Sequence, residues 1–371
     1  MINYIQFLAE LKSRYIKNIT PKITTMNVNL SVRSPLGRFE INQTSSVIHS
    51  RDNDIEFATE FDTLEMDLKR KHIFEISPSS EVSNFFIPAK IQLKIMTETF
   101  FMTEITADGI SNVSLTLYSE NPLTENEISK YQSYLVMCSA IIQSITEMTG
   151  KTFRLVPYVV YLLPDEKIYY KTAPIGVNEM NSGFTDTEKV FIYRSEELLK
   201  VMIHETIHVN QLERILIDNI IELNRFVKSG VDYKGPSLAD QPFEHFVEYL
   251  AEILYHAINS MFNPSKFAIL INNEINETIN TIREVMSYEC ECSEMQTCKL
   301  SQNGNFVNYY VVRAMLLCET AETGLVISKI TSFSDYKKIL SKAMKNKNYF
   351  SKLYSTCPLG SNHVKTSMSH V

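Results

Sequence analysis

The 371-residue chain has no tryptophan, only 10 glycines and 12 prolines, and neither a low-complexity tract nor a visible repeat. Collagen-like and linker-like classes are thereby excluded. Long hydrophobic runs are missing too. The longest, around Leu155–Leu163 and Tyr134–Ile142, fall well short of the roughly 20 residues that a membrane span needs. Glu10 interrupts the apolar opening segment, and no small-residue cleavage site follows, so the start reads as an amphipathic helix rather than a signal peptide. There is no excess of basic residues: 36 Lys and Arg against 43 Asp and Glu leave a formal charge of −7. That balance argues against nucleic acid as the main partner. Six cysteines in so long a chain do not make a disulfide framework. With 44% hydrophobic and 21% charged residues the chain can bury an ordinary core. The expectation is a soluble intracellular protein with no membrane partner.

Periodicity divides the chain. A helix is expected over Ile2–Ile19, followed by strands at Thr25–Val32, Lys90–Met96, Phe100–Ile105 and Val113–Tyr118, with a polar loop at Ser45–Asp54. These make residues 1–120 a strand-rich N-terminal domain of unknown role. Thr124-Glu-Asn-Glu127 is a capping box that opens a helix to about Met148. Strands follow at Leu155–Leu163 and Lys189–Tyr193, then helices from Ser195 to about Asp218, from about Pro242, and over Lys266–Ser287, Phe306–Glu322 and Ser334–Ser351. Residues 121–356 form the second domain, and 357–371 a frayed tail. The fold class is α+β.

His204-Glu-Thr-Ile-His208 is an H-E-x-x-H motif on one of these helices. The i, i+4 spacing brings both imidazoles to one face, about 5–6 Å apart at Cβ. That suits two ligands of one tetrahedral Zn²⁺. Glu205 lies about 100° round the helix. From there its carboxylate can take a proton from a water attacking a carbonyl. The helix is apolar nearly all round, so two histidines and a glutamate on it must be paired, neutral or metal-bound. A third histidine does not follow, because positions 211 and 214 are Gln and Arg. Glu244, Glu248 and Glu252, spaced i, i+4, i+8 on a later helix, are the remaining candidates for a third ligand. Cys290, Cys292 and Cys298 lack the spacing of common zinc fingers and read as loop thiols. His245 and His256 read as surface residues.

The combination resembles the gluzincin branch of the zincin metallopeptidases, in which the third ligand commonly sits in Glu-x-x-(Ser/Ala)-(Asp/Glu). Glu248-Tyr-Leu-Ala-Glu252 matches that pattern, and Glu244-His-Phe-Val-Glu248 matches less well. The resemblance implies a zincin-like catalytic domain with one Zn²⁺ held by His204, His208 and Glu248. It makes Glu252 the acid that orients a ligand histidine, Glu244 the fallback ligand and Glu205 the general base. A wider stretch, over roughly residues 150–320, is similar to metallopeptidases predicted in large DNA viruses. It includes Lys167–Ala173, Asn178–Thr185, Phe246–Asn259 and Tyr309-Tyr-Val-Val-Arg313. On that resemblance the location would be a host cytoplasm or a virion, and the substrate a peptide or protein. By analogy with zincins, Val190–Tyr193 is the strand that runs antiparallel to substrate, with Asn181, Ser182 and Gly183 turning at the cleft rim. Tyr309, Tyr310 and Arg313 are the candidates for stabilising an oxyanion. The alternatives are a non-catalytic virion or interaction protein that keeps zinc as a structural staple, and a metal-free buried His/Glu network.

Overall fold

The computed structural model describes residues 13, 27–34, 37–40, 87–106, 113–149, 152–170, 180–186, 188–230, 233–234, 243–289, 300–301, 306–324, 332–354 and 363–365. The expected Ile2–Ile19 helix (Ser13 apart), the Ser45–Asp54 loop and Cys290, Cys292 and Cys298 lie outside them. The chain is a mixed α+β protein with a mostly helical C-terminal part. Strands β1 (Asn27–Ser34), β2 (Gly37–Glu40), β3 (Phe100–Thr106), β4 (Ser114–Ser119), β5 (Tyr158–Tyr161), β7 (Gly183–Thr185) and β8 (Val190–Ile192) form one sheet in the order β2-β1-β3-β4-β5-β8-β7. The pairs β4–β5 and β5–β8 are parallel and the others antiparallel. The sheet continues across residue 120, so a boundary there would part β4 from its hydrogen-bonded neighbour β5.

Both faces of the central strands are covered, which is why they read as near-continuous apolar runs. Leu115, Leu117, Tyr158, Val160, Val190 and Ile192 face the helical side, while Tyr118, Tyr161 and Phe191 face the other. On that second face lies α1 (Ala89–Thr97), where the sequence alternation suggested a strand over Lys90–Met96. Ile91 and Ile95, one helical turn apart, are buried, whereas Leu93 is 61% exposed. The apolar spacing is therefore helical, and the intervening leucine mimicked a period of two. On the helical side, α2 (Glu125–Thr149) makes the crossover between the parallel strands β4 and β5. Its capping box is formed: Thr124 N donates to Glu127 Oε2 at 2.8 Å, and Glu127 N to Thr124 Oγ1 at 3.3 Å.

The expected Ser195–Asp218 helix is broken. Helix α3 (Leu198–Val209) starts after Glu197, whose φ is 60° and whose carboxylate pairs with buried Lys167 at 2.8 Å. At its other end Asn210 Nδ2 donates to Thr206 O at 2.8 Å and to Arg154 O at 2.9 Å, competing with the helix backbone. Gln211 then takes φ 50°, before α4 (Arg214–Ile217) and α5 (Ile220–Gly230). Next come α6 (Glu244–Ser260), α7 (Lys266–Glu289), a π-helical turn at Val307–Val312 that runs into α8 (Arg313–Thr323), α9 (Phe333–Ala343) and α10 (Lys347–Leu353). The expected Ser334–Ser351 helix is split because Asn346 Oδ1 caps α10 at Tyr349 N, 3.0 Å away. The expected frayed tail contains a strand, His363–Lys365, paired antiparallel with β6 (Ile168–Tyr170).

Helix α3 packs against β7, β8 and α6. Gly183 permits the close approach: a Cβ there would lie 2.8 Å from Phe191 O and 3.2 Å from Val201 Cγ1. Replacing Gly183 by Ala is expected to cost about 1–3 kcal/mol of stability. Chemical denaturation measures this, and an unchanged midpoint would show that β7 does not press against α3.

Candidate metal centre

The two histidines of α3 converge. His204 Nε2 and His208 Nε2 are 3.1 Å apart, and Glu244 Oε2, from the first turn of α6, lies 3.5 Å from each. For a tetrahedral ion with bonds of about 2.0–2.1 Å, the ligand–ligand edge is about 3.3–3.4 Å. The three atoms match that edge. His204 and Glu244 are buried and His208 nearly so. Of the candidate glutamates, it is the fallback, Glu244, that stands beside the two Nε2 atoms, whereas Glu248 stands at Nδ1 of His204.

Glu248, one turn further along α6, does a different job. Its Oε1 lies 2.9 Å from His204 Nδ1, a close ion-pair contact whose alignment falls short of a formal hydrogen bond. His208 Nδ1 meets Glu213 Oε1 at 2.8 Å. A carboxylate at each Nδ1 favours the proton there, so both Nε2 atoms present lone pairs. Three acceptors then face one another with no donor between them, and Glu244 Oε2 has no hydrogen-bond partner. Such a pocket calls for positive charge. A second proton on the rings would meet the same demand. Burial alone would lower both imidazoles, yet Glu248 holds His204 above its ordinary value, and Glu244 and Glu213 hold His208 well above it. Glu244 is lowered despite its burial, chiefly by His208. Glu205 is buried beside them, and burial raises its carboxyl although both imidazoles pull it down.

Glu252 does not reach a ligand histidine. It meets Lys200 Nζ at 2.8 Å, Arg313 at 2.8 Å and His256 Nε2 at 3.1 Å. The acid beside His204 Nδ1 is Glu248 rather than the expected Glu252, which belongs to a deeper network. There Arg313 also donates to Glu274 Oε1 at 2.9 Å and Thr278 Oγ1 at 2.7 Å. Glu252, His256 and Glu274 also come within metal-binding reach of one another. Lys200 and Arg313 already supply positive charge there, and burial together with Glu252 pushes the Glu274 carboxyl up to about 8. Lys200 and Arg313 thus face the carboxylates of both Glu248 and Glu252.

Other expectations shift as well. Arg313 is fully buried and committed to Glu252 and Glu274, and Tyr310 is stacked on Phe306 with the Arg313 guanidinium over its ring. Tyr309, on the same π-helical turn, sets its ring edge-on to His204 with centroids 6.1 Å apart. Asn181 accepts from the Arg194 guanidinium through its backbone carbonyl. Val190–Ile192 is no sheet edge, since β5 flanks it on one side and β7 on the other. Among the described residues β7 is the edge on that side, and β2 the edge on the other. His245 and His256 are not surface residues but fully buried. Sequence reasoning missed Glu213 and Lys200. The first is reached through the left-handed turn at Gln211. The second was visible as a lone charge on an apolar helix, one turn before His204.

The chain matches no family model, no curated protein and no solved structure. If the site holds zinc, its affinity separates the roles of the two glutamates. Glu244→Ala should weaken binding by more than about 100-fold, and Glu248→Ala by roughly 10–100-fold, as for an outer partner. Chelator competition measures both, and the reverse order would restore Glu248 as ligand.

Proposed function

We propose that the protein is a zinc-dependent metallopeptidase of gluzincin type. The observation that carries this reading is the convergence of His204 Nε2, His208 Nε2 and Glu244 Oε2 at tetrahedral-edge distances, with a carboxylate at each Nδ1. Two histidines and a glutamate are the donor set of zinc hydrolases that keep one position open. A zinc ion bound there would polarise the scissile carbonyl and acidify the attacking water. Glu205 takes that water's proton on its carboxylate as the new C–O bond forms, then delivers it to the amine as the C–N bond breaks. Its raised carboxyl suits a group that must both accept and return a proton. Glu248 and Glu213 hold the imidazoles in one tautomer and orientation. Tyr309, against His204 and 8% exposed, is the donor assigned to the oxyanion. An extended peptide would add to the outer edge of β7, one strand beyond the strand first expected to offer it.

The second reading, a non-catalytic virion or interaction protein with zinc as a staple, draws on the deep burial of His204 and Glu244. One variant decides between them. Glu205→Gln should retain one zinc per chain while hydrolysis of a mixed peptide library falls about 100- to 10,000-fold. Undiminished turnover in that variant contradicts the role of Glu205. A zinc-loaded wild type that cleaves nothing supports the staple.

A further inference from the structure

The helix that carries both histidines also buries a lysine. Lys200 lies one turn before His204 on α3, is 1% exposed, and places Nζ 3.0 Å from Glu248 Oε2 and 2.8 Å from Glu252 Oε2. A buried ammonium persists only beside matching carboxylates. Glu252 does not depend on Lys200 alone, because Arg313 donates to it at 2.8 Å. Glu248 does depend on it more closely, since Arg313 stands 3.7 Å from its Oε2. Both cations draw on Oε2 of Glu248, which leaves Oε1 turned to His204 Nδ1 at 2.9 Å. The carboxylate has two oxygens with two tasks, and the cations on one side decide which oxygen performs which.

This step rests on the metal reading above: we infer that Lys200 is a positioning residue of the metal centre. Acting through Glu248, it fixes the ring of His204 so that Nε2 points to the position shared with His208 and Glu244. Lys200 and His204 sit on one helix, and Glu244 and Glu248 on the other. The contact therefore also sets the rotation of α6 against α3, and with it the placing of Glu244 one turn before Glu248. A contact of this kind governs metal affinity by orienting a ligand without touching the ion.

The test is zinc affinity of the full chain, measured by chelator competition, in Lys200→Met, Glu248→Gln and the double variant. Lys200→Met is expected to weaken zinc binding roughly 10–100-fold. The double variant is expected to bind no more weakly than Glu248→Gln alone, because the lysine acts through that carboxylate. Wild-type affinity in Lys200→Met, or losses that add in the double variant, would overturn the inference. A merely structural ion pair predicts the additive result. If Lys200→Met is recovered unfolded, the double variant decides, since it removes one charge of each sign. An affinity below that of Glu248→Gln would then count against the lysine. Failure of the underlying metal reading looks different: the wild type itself would bind zinc no better than a His204→Ala, His208→Ala variant.

Discussion

Two imidazole Nε2 atoms 3.1 Å apart, with a buried carboxylate oxygen 3.5 Å from both, form an arrangement that favours positive charge at its centre. The surrounding structure exists to keep them that way. Each histidine is clamped at Nδ1 by a carboxylate from a different element: Glu248 from α6, and Glu213 from beyond the α3 terminus. Without these clamps the rings could rotate or exchange tautomers, and the three acceptors would not converge. The turn at Gln211, with φ 50°, is the local strain that delivers Glu213. A non-glycine residue in that region carries a cost that the surrounding contacts must outweigh.

Behind the clamps lies a polar layer shared by α3, α6, α7 and α8. Lys200 and Arg313 face Glu248 and Glu252, and Glu274 takes up the remaining donor capacity of Arg313. Removing one partner from a buried set of this kind costs about 3–5 kcal/mol, because the remaining charge stays buried without compensation. The layer ties the histidine helix to three others, so His204, His208 and Glu244 stand on rigid elements rather than on loops. On the opposite side, Gly183 lets β7 press against α3, completing the seat of the helix.

The histidine pair was legible because i, i+4 spacing on an apolar helix is a local property. The third candidate ligand was legible only as a set of three. Glu244, Glu248 and Glu252 are related by one-turn steps of about 6 Å along the axis, so the pattern is the same for each. Choosing among them depends on how far α6 slides along α3, which is tertiary information. The resemblance to gluzincins favoured Glu248 because Ala251 fills the small-residue position. Val247 at the corresponding place before Glu248 is tolerated instead, fully buried in the core. The strand at Lys90–Met96 failed for a different reason: an isoleucine pair one turn apart with an exposed leucine between them imitates alternation. The sheet edge was misplaced because β7 is only three residues long and carries no strong pattern of its own.

X-ray absorption at the zinc edge, combined with anomalous diffraction, tests the central claim most directly. The account predicts one ion with two imidazole nitrogens from His204 and His208 and one oxygen from Glu244, at about 2.0–2.2 Å. An ion bound through Glu248, an ion seated among Glu252, His256 and Glu274, or a protein that takes up no zinc would contradict it.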